Sequence, residues 1–232
     1  MDTEQKLVLL SKAAQYDVCQ EAERLLPSAA SLALLPAGVP RRDLVDYVSF
    51  VRAQGGRPMP VMKVLQTSAC EKTCYYCPFR AGRNFRRERL SPDTLACAFA
   101  ELQRKGLVEG LFLSSGIIGT ARTQDEMLAT VELVRRKYQF GGYIHLKLLP
   151  NAEDAHIERA AQLADRLSVN LEATSPERLL KLAPKKDFIK GLWHTLQRIS
   201  YYIARGNGRL AQASAVTQFV VGAAGESDQE IL

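Results

Sequence analysis

Strand-like stretches at 61–67, 110–115, 143–149, 167–172 and 215–221 alternate with helix-like segments, and this rhythm limits the fold more than any other feature of the chain. Parallel strands need long crossover connections, and helices supply them, so the pattern predicts a mainly parallel sheet. Helix starts punctuate the intervals. Ser91, Pro92 and Asp93 set a cap, an N1 proline and an acid in order, and Ser175, Pro176 and Glu177 repeat the arrangement. Thr123 with Glu126 reads as a capping box, and 187–206 has room for a further helix. A length of 232 residues suits one barrel-like core. The expectation is an α/β fold: a partial parallel, TIM-like (β/α) barrel over residues 60–232, preceded by a helical extension at 1–59.

Strand periodicity adds a cavity to this expectation. Ser168, Asn170 and Glu172 share one face of the fourth strand, and His145 with Lys147 share one face of the third. Strands covered on both sides by apolar layers would not carry such sets, so the interior is expected to be wet or to hold a ligand. After the fifth strand, Ser227 and Glu230 read as the opening of another helix, and the sequence suggests a barrel cut short before its sixth strand.

Several function classes fall away. The N-terminus lacks the basic-then-apolar layout of a secretory signal, and the apolar stretch at 25–39 is broken by Pro27 and Pro36, so a cytoplasmic chain with no membrane partner is expected. A net charge of +6 is compatible with an anionic partner and equally with solubility alone. No P-loop or Ser/His/Asp order competes for the chemistry. No polar residue can be assigned as acid or base, and Trp193, Tyr201 and Tyr202 read as core.

The chemistry rests on Cys70, Cys74 and Cys77, a C-x3-C-x2-C spacing directly after the first predicted strand. In a reducing compartment such a cluster reads as metal or redox chemistry, while Cys19 and Cys97, in helix-like patterns, read as small buried apolar residues. The loop falls at the C-terminal mouth of the predicted barrel, where barrel enzymes build their sites. Structural zinc closes with four ligands, and ferredoxin clusters take four cysteines. A [4Fe–4S] cluster held by three cysteines would leave one iron open to a ligand.

This loop, with Tyr76 just before its third cysteine, resembles the signature of the radical S-adenosylmethionine (SAM) family. The resemblance implies a three-cysteine [4Fe–4S] cluster, SAM bound at the open iron, and reductive cleavage to a 5′-deoxyadenosyl radical that takes hydrogen from substrate. It also implies cofactor contacts from Tyr76, from Ser114, Ser115 and Gly116 in place of the family's Gly-Gly-Glu-like segment, from Asn170 and Glu172 at the fourth strand's end, and from the Gly-rich turn at Gly222. Segments 13–19, 109–117, 142–147 and 217–226 further resemble a radical SAM subfamily associated with DNA modification or repair. That likeness implies an external electron donor, a DNA substrate and a uracil-DNA glycosylase-like partner.

The loop continues into Phe79, Arg80, Arg83, Phe85, Arg86, Arg87 and Arg89. Arginines pair with phosphates and aromatics stack on bases, so Arg80, Arg83, Arg86 and Arg87 are candidate nucleic-acid contacts. They could equally neutralise an anionic cluster and cofactor. His145 and Lys147 could face substrate or form part of a hydrogen-bonded interior. One rival stays open from the residues alone: a non-catalytic nucleic-acid-binding module whose cysteines hold zinc or a structural iron–sulfur cluster.

Overall fold

The computed structural model describes residues 2–14, 48–52, 57–206 and 214–231. Its centre is one sheet of strands β1 (Val48–Arg52), β2 (Pro58–Leu65), β3 (Gly110–Ser114), β4 (Tyr143–Lys147), β5 (Arg166–Ser168) and β6 (Ser214–Val216), hydrogen-bonded in chain order. β2 to β6 run parallel, and β1 pairs antiparallel with β2. This is an open, partial (β/α) barrel. All five predicted parallel strands are present, shorter at their C-terminal ends than their sequence patterns suggest.

Helices alternate with the strands: α1 (Thr3–Ala14), α2 (Pro92–Arg104), α3 (Thr120–Glu132), α4 (Asp154–Leu163), α5 (Pro176–Leu182), α6 (His194–Arg205) and α7 (Asp228–Ile231). α3 runs on into a π-helical turn, Leu133–Lys137, and α6 is preceded by another, Phe188–Trp193. Ser91 accepts from Thr94 N at 3.2 Å and Ser175 from Arg178 N at 3.3 Å, as their cap positions predict. Asp187 caps the turn leading into α6 by accepting from Lys190 N at 2.8 Å.

The two faces of the sheet differ in chemistry. Met62, Val64, Leu111, Leu113, Ile144, Leu146 and Leu167 lie on one face and pack with Phe99, Met127, Val131 and Ile157 of the helices into the main core. On the other face the register runs Lys63, Phe112, His145, Arg166, Ser214 across the strands, with Leu65 opposite Ser114 and Lys147 opposite Ser168 one step nearer the mouth. Each polar group there is engaged. His145 Nε2 lies 2.8 Å from Ser168 Oγ and its ring meets Phe112 edge-on, while Lys63 sits over the Phe112 ring.

Four expectations change. Val48–Arg52, expected within a helical extension, is a strand, because its apolar alternation pairs with the otherwise open edge of β2. Thr123 is not a cap. α3 starts at Thr120, and the Thr123 hydroxyl turns back to donate to Ile118 O at 2.8 Å. Cys97 is exposed on α2, and Cys19 lies outside the described residues. Trp193 and Tyr201 are also exposed, since α6 turns Thr195 and Ile199 inward and leaves Arg198 and Arg205 stacked on Tyr201.

Candidate active site at the cysteine loop

The cysteine loop is held where β2 and β3 end. Gln66 N donates to Ser114 O at 2.8 Å and Gly116 N to Thr67 O at 2.7 Å, extending the ladder past the strands. A side chain at Gly116 would place its Cβ 2.2 Å from Ala69 O, so only glycine lets β3 pass this close to the start of the loop. Glu71 N donates to Ile117 O, Tyr75 N to Leu182 O and Ala81 N to Lys72 O, each at 2.8 Å. The backbone around the thiols is therefore tied to the turn after β3 and to the end of α5, and is closed on itself through Ala81.

Arg87 completes the loop from within. Nη1 donates to Ser68 O at 2.9 Å and Phe79 O at 2.5 Å, and Nη2 to Arg80 O at 2.9 Å and Arg83 O at 3.4 Å. Its planar fork is thus spent on carbonyls on both sides of the cysteines. Arg80 donates to Tyr75 O at 2.8 Å. Arg83 and Arg86 are exposed, Arg86 with Glu88 as neighbour at 2.9 Å. The arginine run therefore divides: Arg87 serves the fold, and Arg83 and Arg86 face solvent.

Beside the loop lies a cavity of about 240 Å³ walled by Cys70, Cys74, Cys77, Tyr76, Ser114, Ser115, Gly116, Lys147, Asn170, Glu172 and Lys186, among others. The cysteine loop and the ends of β3, β4 and β5 meet there, as the sequence predicts for a barrel mouth. Gly222 is the exception. It lies in the turn after β6, at φ 81°, and is not among the lining residues. That turn is held by the Glu226 carboxylate, which accepts from Gly222 N and Ala224 N, and by Arg178, which donates to Ala224 O at 2.8 Å.

The cavity wall suits a bound ligand. Ser115 Oγ and Asn170 Oδ1 are buried with no hydrogen-bond partner in the protein, and a buried oxygen left so is costly unless a ligand satisfies it. Cys70, Cys74 and Cys77 all line the cavity, and a [4Fe–4S] cluster held there would give one iron to each thiolate.

A buried ion pair crosses the same wall. Lys186 Nζ donates to Glu172 Oε1 at 2.7 Å and to Tyr76 Oη at 3.2 Å, and its side chain is only 10% exposed. Glu172 reaches this place through a left-handed backbone, φ 67°, uncommon for a non-glycine residue. Burial opposes the Lys186 charge, but Glu172 and then Cys74 outweigh it and raise its pKa. Burial likewise pushes the Cys74 and Cys77 thiols up, with the Lys186 ammonium pulling the other way. The Tyr76 phenol is raised by burial and by the negative charge of Glu172 and Cys74. Lys186 is the site residue that the sequence does not reveal. Its only local signal is a Lys185–Lys186 pair just before the Asp187 cap, where a helix start would favour acids.

Comparison with known proteins gives the family and the fold. Residues 64–232 match the family profile described as the Radical SAM superfamily. A tRNA-2-methylthio-N(6)-dimethylallyladenosine synthase of Lachnoclostridium phytofermentans is 22% identical over 172 residues, covering 70% of this chain and 35% of that one. The chain thus spans about a third of the length of this curated relative. Among solved structures, methylornithine synthase (PylB) aligns over 96% of this chain and 60% of its own, with TM-score 0.55 and 13% identity. HydG, a maturase of the [FeFe]-hydrogenase, aligns over 68% of this chain and 34% of its own, with TM-score 0.55 and 10% identity. At such identities these structures show a shared fold.

Proposed function

The chain belongs to the radical SAM superfamily, and on that premise we propose that Cys70, Cys74 and Cys77 hold three irons of a [4Fe–4S] cluster whose fourth iron takes SAM. When bound, these groups supply one-electron reductive cleavage of the sulfonium bond and, through it, hydrogen abstraction from a substrate; the electron comes from an external donor. The observation that carries the reading is the meeting of three thiols and two orphaned oxygens, Ser115 Oγ and Asn170 Oδ1, in one cavity at the strand ends.

The chain's own residues orient and shield. Ser114, Ser115 and Gly116 present backbone and hydroxyl groups to the methionine end of SAM, and Asn170 presents its amide oxygen to the ribose side. Tyr76 and Glu172, joined through Lys186, close the wall between the cysteine loop and β5. Phe79 and Leu148, both buried in the lining, keep water from the reacting end. The turn at Gly222, held by Glu226 and Arg178, stands outside the cavity and is proposed to meet the adenine at the edge.

For substrate we propose a nucleic acid, in the form of DNA, with a uracil-DNA glycosylase-like protein as partner. Support comes from the exposed Arg83 and Arg86 with the half-exposed rings of Tyr75 and Phe85 in the same loop, and from the curated relative, which is named for a modified tRNA nucleoside. Arg80 and Arg87 are assigned to loop structure. The test is fluorescence anisotropy with single-stranded DNA and RNA oligonucleotides over a salt series. The Arg83→Ala/Arg86→Ala variant should weaken DNA binding and lower the salt slope by about 1.4, as two phosphates are no longer neutralised. Unchanged affinity and slope would remove the nucleic-acid part and leave the cofactor part standing. Iron and sulfide analysis after anaerobic reconstitution judges the latter, because one equivalent of zinc without iron would favour a binding module instead.

A further inference from the structure

The Lys186–Glu172 pair spans the cavity wall but supplies none of the thiols. Its orientation is informative. Lys186 comes from the loop after α5 and lies 3.2 Å from the hydroxyl of Tyr76, the residue between Cys74 and Cys77, with its ammonium 5.9 Å from the centre of that ring. Tyr75 N, bound to Leu182 O at 2.8 Å, and Lys186 N, bound to Ala183 O at 2.9 Å, fix the approach from both backbones. Both charges are held away from water, with side-chain exposures of 10% and 6%. At so buried a site their fields are weakly screened.

The two charges of the pair meet different parts of the site. Of the two side chains it is the Lys186 ammonium that bonds a residue of the cysteine loop, Tyr76 Oη at 3.2 Å, while Glu172 stands just past the end of β5, and both line the cavity that the three thiols line. The positive end of the pair is therefore turned toward the cysteine loop, and the negative end toward β5.

Resting on the reading that these cysteines carry a [4Fe–4S] cluster, we propose that Lys186 is a positioning residue for its redox chemistry: its buried ammonium raises the cluster's reduction potential, with Glu172 as the opposing charge that limits the rise. Reduction adds one electron from an external one-electron donor, dithionite in the assay; no bond is broken and no proton moves. A fixed cation in the wall of the cluster's cavity favours the more negative, reduced state, and a carboxylate there disfavours it. Net charge and hydrogen bonding around the sulfurs are the levers by which a protein sets such potentials. Any ligand that displaced Lys186 from Tyr76 would shift the same potential.

Potentiometric titration of the anaerobically reconstituted chain, followed by electron paramagnetic resonance and without SAM, tests this. Lys186→Met should shift the midpoint to more negative potential, Lys186→Arg should hold it near the unmodified value, and Glu172→Gln should shift it to more positive potential. A Lys186→Met midpoint equal to that of the unmodified chain overturns the inference, including when SAM affinity alone falls, since Lys186 would then serve only to hold the cofactor. If Lys186→Met does not retain its cluster, Glu172→Gln decides: a positive shift supports the inference and an unmoved midpoint overturns it. A chain that takes up no cluster even unmodified would instead refute the reading on which the inference rests.

Discussion

Around the cysteine loop the backbone is pinned to two other parts of the chain and by the four bonds of Arg87, whereas β5 and β6 pair over only three residues each. Beyond that short ladder, Thr217 takes the place of backbone pairing, donating to Val169 O at 2.8 Å and accepting from Leu171 N at 3.1 Å. Glu172 then turns left-handed and makes a single bridge with Phe219. The orphaned Asn170 Oδ1 lies on this side of the site. One side is pinned by backbone bonds and by Arg87, the other rests on a shorter ladder, and each presents one orphaned oxygen, Ser115 Oγ on the first and Asn170 Oδ1 on the second. Metal ligands need fixed spacing, while a wall that admits and releases a small molecule tolerates a weaker ladder.

Substitutions on the two sides should separate accordingly. The largest effect is expected at Gly116→Ala, whose methyl would meet the Ala69 carbonyl oxygen at 2.2 Å. A backbone clash of this kind belongs at the upper end of the ~1–3 kcal/mol cost of overpacking. Iron retained after reconstitution should fall together with Tm, and full retention of both would mean the loop is looser than its contacts imply. Arg87→Ala comes next, at about 2 kcal/mol, because four carbonyls lose a charged donor. Lysine at this position cannot span the carbonyls and should not rescue, so rescue measured as iron content would break the contrast between the two sides. On the other side, Thr217→Val should cost only about 1 kcal/mol and leave iron content unchanged while weakening SAM binding by calorimetry. Iron loss in that variant would show the two sides to be one cooperative unit.

Much of this was legible in the sequence, for definite reasons. Apolar strand patterns alternating with helix-like segments, two of them opened by Ser-Pro starts, report parallel strands and their crossover helices, and all five strands stand close to where predicted. The cysteines were legible because their spacing is local. Lys186 was not, since its partner Tyr76 is 110 residues away and only the folded sheet brings them together. The arginines of the loop are alike in sequence, and the fold alone separates Arg87, turned inward onto carbonyls, from Arg83 and Arg86, turned outward. Cys97 shows the same limit at helix scale. A small apolar residue in a helix reads as buried, yet α2 buries Leu95, Ala96, Phe99 and Ala100 and leaves Cys97 on its outer side.

Anaerobic cofactor cleavage, read as 5′-deoxyadenosine formed from SAM with dithionite, tests the central claim that the three thiols and the cavity beside them form one radical-generating site. Product is expected from the reconstituted chain, with its loss in Cys74→Ala, which removes the most buried of the three thiols. Undiminished 5′-deoxyadenosine from Cys74→Ala would contradict that claim.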